Sequence, residues 1–154
     1  MLKTGDKAPD FSLPDADMEE IKLADFLGKQ QVVLYFYPKD DTPGCTLEGI
    51  EFSDLEAGFA AQDTAVLGVS KDDCMSHAAF RDKHGLSVRL LADVDGEACA
   101  AYGVWQEKEK DGVKRMGIVR STFIIGQDGV LKYVQYGVAA KGHAGEILQF
   151  IKQG

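Results

Sequence analysis

One cysteine of this 154-residue sequence lies where a thiol can act as a nucleophile. Cys45 follows a short polar loop, and that loop follows an apolar run, Gln31–Tyr37, which is typical of a strand buried on both faces. Thr42 and Pro43 are typical of a helix start, because threonine caps the N-terminus and proline at the first position loses no hydrogen bond. The sequence therefore predicts that Cys45 lies in the first turn of a helix, at the carboxyl end of a buried strand.

The start of a helix is a favourable position for a thiolate. Unpaired N–H groups and the positive end of the helix dipole stabilise an anion there, and comparable settings lower cysteine pKa values from about 8.5 to about 3.5–7.5. Gly44 would let a ligand approach the backbone closely. Two interpretations of Cys45 stay open from these features: a catalytic nucleophile, or a small apolar side chain that fills space. Glu48, one turn further on, is either part of the site or an acid favoured by the dipole.

Composition and charge exclude several classes of protein. The chain has 45% hydrophobic and 27% charged residues, which argues against disorder and fits one globular domain over residues 1–154. A formal net charge of −8 disfavours nucleic acid and anionic membranes as partners. The longest apolar run is far shorter than the roughly 18 residues that a membrane span needs. We see no signal peptide and expect a cytoplasmic protein.

The cysteines and histidines do not form a metal-binding or disulfide pattern. Cys45, Cys74 and Cys99 are the three cysteines, and none belongs to a C-x-x-C pair. This pattern disfavours a disulfide-stapled secreted scaffold, a four-cysteine zinc site and a dithiol–disulfide oxidoreductase. The three histidines share no ligand spacing, so we expect no metal site.

Strands and helices are expected to alternate along the first two thirds of the chain. Apolar runs predict strands at Gln31–Tyr37, Ala65–Val69 and Ser87–Leu91. The helix that begins at Pro43 is expected to run for about 17 residues, and a second helix is expected to end at about His84. This alternation implies a parallel sheet core that is covered on both faces.

The last third of the chain predicts a hairpin and a closing helix. Ser121–Ile125 and Val130–Tyr136 flank a Gly-Gln-Asp-Gly turn, which makes the sheet mixed, and residues 141–152 form an amphipathic helix. Asp95 is expected to cap a short helix, and the charge-alternating segment Glu107–Gly112 is expected to be a solvated loop. The whole pattern is that of a thioredoxin-like, three-layer α/β/α sandwich with a mixed central sheet.

The segment around Cys45 also carries a recognisable motif. Pro38-x-x-x-Thr42-x-x-Cys45 resembles the active-site signature of peroxiredoxins, and the string Tyr-Pro-Lys-Asp-Asp-Thr-Pro-Gly-Cys-Thr-x-Glu resembles peroxiredoxin Q, also called bacterioferritin comigratory protein. The later segments Tyr-Gly-Val-Trp and Arg-Ser-Thr-Phe extend the resemblance nearly end to end. It implies a thiol-dependent peroxidase that reduces hydrogen peroxide and organic hydroperoxides in antioxidant defence, without a metal or prosthetic group.

The resemblance implies a role for each residue that matches the motif. Cys45 would be the peroxidatic cysteine, which attacks the peroxide and becomes a sulfenic acid. Arg120 would lie beside the sulfur and bind the peroxide, Thr42 would bond both, and Pro38 would shield the thiolate from water. The backbone N–H groups of Gly44 and Cys45 would donate to the peroxide.

The sequence departs from peroxiredoxin Q at the positions of a resolving cysteine. Ile50 stands five residues after Cys45, and Arg81 stands at the alternative position in the helix after the second strand. Three routes for resolving the sulfenic acid stay open: an external thiol such as thioredoxin, glutaredoxin or glutathione, or attack by Cys74 or by Cys99 after local unfolding.

A different function class remains as an alternative to the peroxidase. The same cysteine could serve a redox sensor or a thiol-dependent holdase, in which the sulfenic acid signals to a partner. The resemblance further implies a monomer, and peroxide and a thiol reductant are the expected partners.

Overall fold

A computed structural model describes all of residues 1–154. The strands are β1 (Ser12–Pro14), β2 (Glu20–Lys22), β3 (Gln31–Phe36), β4 (Thr64–Ser70), β5 (Arg89–Ala92), β6 (Trp105–Lys110), β7 (Val113–Ile118), β8 (Ser121–Ile125) and β9 (Leu131–Tyr136). The helices are α1 (Pro43–Asp54), α2 (Glu56–Ala60), α3 (Cys74–His84), α4 (Glu97–Ala101) and α5 (His143–Gln153).

Five strands form one mixed sheet in the order β5-β4-β3-β8-β9. The strands β3, β4 and β5 run parallel, whereas β8 runs antiparallel to β3 and β9 antiparallel to β8. The central strand β3 is therefore paired on both sides, as its continuous apolar run predicts. Its carboxyl end leads directly into the loop before α1.

Alternate residues of β3 pack into two separate cores on the two faces of the sheet. Val32, Leu34 and Phe36 belong to a core that includes Ala98 and Cys99 of α4. The intervening β3 residues belong to the other core, which also takes side chains from α1, α2, α3 and α5. The chain thus has a thioredoxin-like α/β/α fold with a mixed central sheet, as predicted.

Two expectations about the helices are wrong in detail. The helix expected over about 17 residues is divided at Leu55, whose φ of −100° and ψ of 3° separate α1 from α2. Helical hydrogen bonds continue across this residue. The helical spacing of apolar residues in the sequence therefore gives no sign of the break. Asp95 does not cap α4. Instead, Asp93 accepts from the N–H groups of Ala98 and Cys99, at 3.2 and 2.8 Å.

The segment Glu107–Gly112, expected as a solvated loop, belongs to a hairpin of β6 and β7. Glu107 pairs with Met116 and Lys108 with Arg115, and these side chains are exposed on both faces of the ribbon. Because neither face is buried, the alternation of apolar and polar residues that marks a strand is absent. The turn at Asp111 and Gly112 has positive φ at both residues, 53° and 78°, which suits a two-residue hairpin.

None of the helices combines the length and the apolar character required to cross a lipid bilayer.

Candidate active site

Cys45 lies in the first turn of α1, directly after the loop that leaves the carboxyl end of β3. Pro43 is the first residue of the helix, and Thr42 is the N-cap residue with extended φ and ψ of −95° and 155°. The Cys45 side chain is 2% exposed and packs in the core that contains Phe52 and Phe80. The predicted placement of the cysteine is therefore confirmed.

Arg120 reaches the Cys45 sulfur from just before a neighbouring strand of the sheet. It lies in the two-residue link between β7 and β8, next to Ser121, which pairs with Phe36 at the end of β3. The antiparallel pairing of β8 with β3 thus brings residue 120 to Cys45. Its Nη2 group lies 3.3 Å from Cys45 Sγ. A guanidinium at this distance stabilises a thiolate, and it also offers donors to a bound peroxide.

The second half of the Arg120 guanidinium is held by Glu48. Nη1 donates to Glu48 Oε1 at 2.7 Å, while Oε2 is buried without a hydrogen-bond partner. The Glu48 side chain is fully buried, and its burial raises the pKa of this carboxyl from 4.5 to about 7, although Arg120 opposes the rise. Glu48 therefore fixes Arg120 with Nη2 directed at the sulfur.

Thr42 and the backbone N–H groups of Gly44 and Cys45 lie at the start of the same helix. The sequence suggested that the Thr42 side chain caps α1, but it does not. Its Oγ1 donates instead to the carbonyl oxygen of Lys39 at 2.8 Å, which leaves the hydroxyl oxygen able to accept. The N–H groups of Gly44 and Cys45 donate to no other group of the protein. A Cβ atom on Gly44 would come within 3.0 Å of Arg120 Nη2, so the glycine leaves room for the guanidinium.

The other two cysteines lie in different surroundings. Cys99 is fully buried in the core on the other face of the sheet from Cys45. Burial, together with the neighbouring Asp93, raises the pKa of the Cys99 thiol far above its usual value. Cys74 is the first residue of α3 and is half-buried. Desolvation and then the charges of Asp15 and Asp73 raise the pKa of the Cys74 thiol.

One group of side chains has the residue types of a metal site. Ligand atoms of Asp40, Asp72 and His77 lie within 4.8 Å of one another. His77 Nδ1 and Asp40 Oδ2 are only 2.7 Å apart, whereas two ligands of one tetrahedral ion stand roughly 3.3 Å apart. Asp72 Oδ2 accepts from Ser70 Oγ at 2.7 Å. The short contacts are those of a hydrogen-bonded cluster rather than of a metal site.

Comparison with known proteins identifies the family. The model of the AhpC/TSA family matches residues 4–134. The chain belongs to the peroxiredoxin Q (Bcp) group of the AhpC/TSA family. A putative peroxiredoxin bcp from Helicobacter pylori is 47% identical over 148 residues, which cover 96% of this chain and 97% of the relative.

Solved structures of peroxiredoxin Q proteins support the same assignment. A cysteine variant of PrxQ from Xylella fastidiosa superposes with a TM-score of 0.93 at 37% identity, covering 99% of this chain and 97% of that one. The bacterioferritin comigratory protein of Xanthomonas campestris, studied for its alkyl peroxide reduction activity, superposes with a TM-score of 0.87 at 35% identity, covering 93% and 90%.

This peroxiredoxin is therefore an enzyme, a thiol-dependent peroxidase whose partners are a peroxide substrate and a thiol reductant. These relatives do not favour the alternative of a redox sensor or holdase. The structure brings together Cys45, Arg120 and Glu48, of which the sequence left Glu48 undecided. The sequence gives one sign that Glu48 belongs to the site, which is its position three residues after Cys45 on the same side of the helix. Nothing in the neighbouring sequence indicates its partner Arg120, 72 residues away.

Proposed function

We propose that Cys45 is the peroxidatic nucleophile of this peroxiredoxin. Its thiolate attacks the terminal oxygen of the hydroperoxide, an S–O bond forms, the O–O bond breaks, and the leaving oxygen takes a proton to depart as water or an alcohol. The observation that carries this proposal is the 3.3 Å contact between Arg120 Nη2 and the buried Cys45 Sγ at the start of α1. The positive guanidinium favours the thiolate form of Cys45. It also stabilises the negative charge that develops on the leaving oxygen.

We propose further that Thr42, Gly44 and Pro38 shape the peroxide site. Because the Thr42 hydroxyl hydrogen is used by the Lys39 carbonyl, the oxygen can accept the hydrogen of the peroxide. The free N–H groups of Gly44 and Cys45 point to a binding role for the peroxide oxygens. Pro38, half-buried at the end of β3, would limit the access of water to the thiolate.

A mass measurement with matched cysteine variants tests the nucleophile. The reduced protein receives one equivalent of hydrogen peroxide in the presence of a sulfenic acid trap, and peptide mapping locates the adduct. We expect the adduct on Cys45 in the wild type, in Cys74→Ser and in Cys99→Ser, and no rapid peroxide consumption in Cys45→Ser. An adduct on another cysteine, or a Cys45→Ser variant that consumes peroxide at the wild-type rate, would contradict the proposal.

For the resolving step we propose an external thiol such as thioredoxin, glutaredoxin or glutathione. The raised pKa values of the Cys74 and Cys99 thiols make both poor attacking groups near neutral pH. Cys99 would also have to leave the core on the other face of the sheet. Since Cys45 is itself buried, an attacking thiol requires the start of α1 to open.

Free-thiol counting distinguishes the routes for the resolving step. After one equivalent of peroxide we expect a sulfenic acid with two thiols left, and turnover only when a thiol reductant is added. An intramolecular disulfide that disappears in Cys74→Ser or in Cys99→Ser would instead assign the resolving role to that cysteine. Turnover of an alkyl hydroperoxide beside hydrogen peroxide tests the substrate range.

The location, the assembly and the domain boundaries of the protein also stay predictions. All three cysteines are unpaired, which supports a reducing compartment such as the cytoplasm.

We propose a monomer with one domain over residues 1–154. Sedimentation velocity on the reduced protein checks the monomer, and a sedimentation coefficient of a dimer would contradict it.

A further inference from the structure

A buried hydrogen-bonded cluster lies beside the loop that joins β3 to α1. We call it the loop anchor and define it as Tyr37, Asp40, Asp72, Ser76 and His77. The carboxylate of Asp40 accepts from Tyr37 Oη at 2.6 Å, from Ser76 Oγ at 2.8 Å and from His77 Nδ1 at 2.7 Å. The Asp40 N–H donates to Asp72 Oδ2 at 2.8 Å.

The partners of His77 fix the hydrogens on its ring. Nε2 lies 2.8 Å from the carbonyl oxygen of Leu91, and a carbonyl can only accept, so Nε2 carries a hydrogen. Nδ1 faces the carboxylate of Asp40, so a second proton is shared between these two groups. Every polar side-chain atom of His77 and Asp40 thus has a hydrogen-bond partner, and the two side chains are 0% and 4% exposed.

The loop anchor holds the middle of the segment that carries Pro38 and Thr42. Asp40 lies two residues from each of them, so any movement of Asp40 is passed to both. The next residue, Asp41, adopts a positive φ of 59° and turns its carboxylate outward to α3, where Lys83 and His84 bind it at 2.7 Å each. Side chains of α3 therefore hold the loop before Cys45 in position.

We propose that His77 and Asp40 are positioning residues for the peroxide reaction. The Nδ1–H of His77 holds Asp40, and through it holds Pro38 and Thr42 in the geometry that the peroxide site requires. Neither residue forms a hydrogen bond with the Cys45 sulfur, which is contacted by Arg120, so both act through the loop. This inference rests on the proposed role of Cys45. It adds that α3, through His77, positions the loop that precedes this cysteine.

Two isosteric variants of His77 separate its two hydrogen bonds. The amide nitrogen of asparagine can occupy the position of Nδ1 and donate to Asp40, whereas that of glutamine can occupy the position of Nε2 and donate to Leu91. We expect His77→Asn to keep the second-order rate constant of Cys45 with hydrogen peroxide within about threefold of wild type. We expect His77→Gln to lower it by roughly tenfold or more, since misplacing a reacting group by about 1 Å can cost 10²-fold.

The measurements are stopped-flow peroxide reduction and thermal unfolding on the same reduced samples. Rescue by asparagine but not by glutamine supports the positioning role, because a merely structural role would follow stability and not the identity of the donor. Equal rates in the two variants, or a loss that only follows their melting temperatures, would overturn it. If the wild-type Cys45 does not react with peroxide at all, the proposed function fails instead, and the two failures are distinguishable.

A serine pair keeps the test decisive if neither His77 variant folds. Ser76→Ala removes one donor to Asp40 and leaves the buried ring in place. Ser12→Ala is the matched control, since its hydroxyl also donates to a carboxylate, Glu20 Oε1 at 2.7 Å, in the remote β1–β2 hairpin. We expect about a threefold slower peroxide reaction in the first and an unchanged rate in the second. An unchanged rate in both would overturn the inference.

Discussion

Replacing Glu48 by glutamine should stabilise the protein above pH 7 and leave its stability nearly unchanged below pH 4.5. The carboxyl is fully buried, Oε1 accepts from Arg120 and Oε2 has no partner. Glutamine keeps the accepting oxygen and resembles the protonated acid, so it retains the contact with Arg120 but cannot ionise. The variant therefore lacks the cost of holding a buried carboxylate at neutral and alkaline pH.

The magnitude follows from the pKa of this carboxyl. Burial raises the pKa of Glu48 from 4.5 to about 7 in the folded protein, and the difference corresponds to about 3 kcal/mol at 1.36 kcal/mol per pKa unit. The folded state holds the proton more tightly than the unfolded chain does. The stability contributed by protonated Glu48 is therefore complete below pH 4.5 and is lost as the pH rises through about 7.

Urea unfolding of the reduced protein at several pH values between 4 and 8.5 measures this effect. The free energy of unfolding of Glu48→Gln minus that of the wild type should rise by about 3 kcal/mol across the interval and then level off. Glu109→Gln, at an exposed position of β6, is the matched control and should parallel the wild type. If Glu48→Gln also parallels the wild type, the carboxyl does not carry a raised pKa and our account of the site is wrong.

Three further substitutions test the groups around the sulfur. Thr42→Val should slow the peroxide reaction about 10²-fold with little loss of stability, because the hydroxyl caps no N–H group; rapid mixing and thermal unfolding measure the two effects, and equal losses would leave only a structural role. Arg120→Ala should slow the reaction at least as much and should destabilise the protein more above pH 7 than below it, since Glu48 loses its cation; an unchanged rate would refute the role of Arg120. Gly44→Ala should displace the guanidinium and lower the rate, while Gly145→Ala, with open space around its Cβ, should not; a normal rate in Gly44→Ala would show that the 3.0 Å contact is not restrictive.

The parts of this fold that could be predicted are those whose signal is local. β3 is apolar from Val32 to Phe36 because both faces of the strand are buried there. Thr42 and Pro43 mark the start of α1 in neighbouring positions. The ribbon of β6 and β7 could not be found from its pattern, since charged side chains cover both of its faces. Its Asp111-Gly112 turn was the one available sign.

The parts of the site that could not be predicted are contacts between distant residues. Arg120 was assigned through its resemblance to the peroxiredoxin motif, and nothing in the neighbouring sequence places it 3.3 Å from a sulfur 75 residues away. The sequence does not reveal the contact of Asp40 with His77, because the two are 37 residues apart and each resembles an ordinary surface residue. Only the parallel pairing of β3 and β4, which brings their following loops to one edge, joins them.

The buried acid beside Arg120 indicates how the fold obtains a directed cation at a buried thiol. A free arginine side chain would sample many rotamers and would turn its charge toward water. Glu48 holds Nη1 at 2.7 Å and leaves Nη2 for Cys45 Sγ, so the planar guanidinium is fixed before peroxide arrives. This arrangement requires a buried carboxyl with a pKa of about 7. Its benefit is that an arginine already in place need not reorganise as the O–O bond breaks. The same reasoning explains why the pKa of Glu48 is raised, although this residue never touches the substrate in our mechanism.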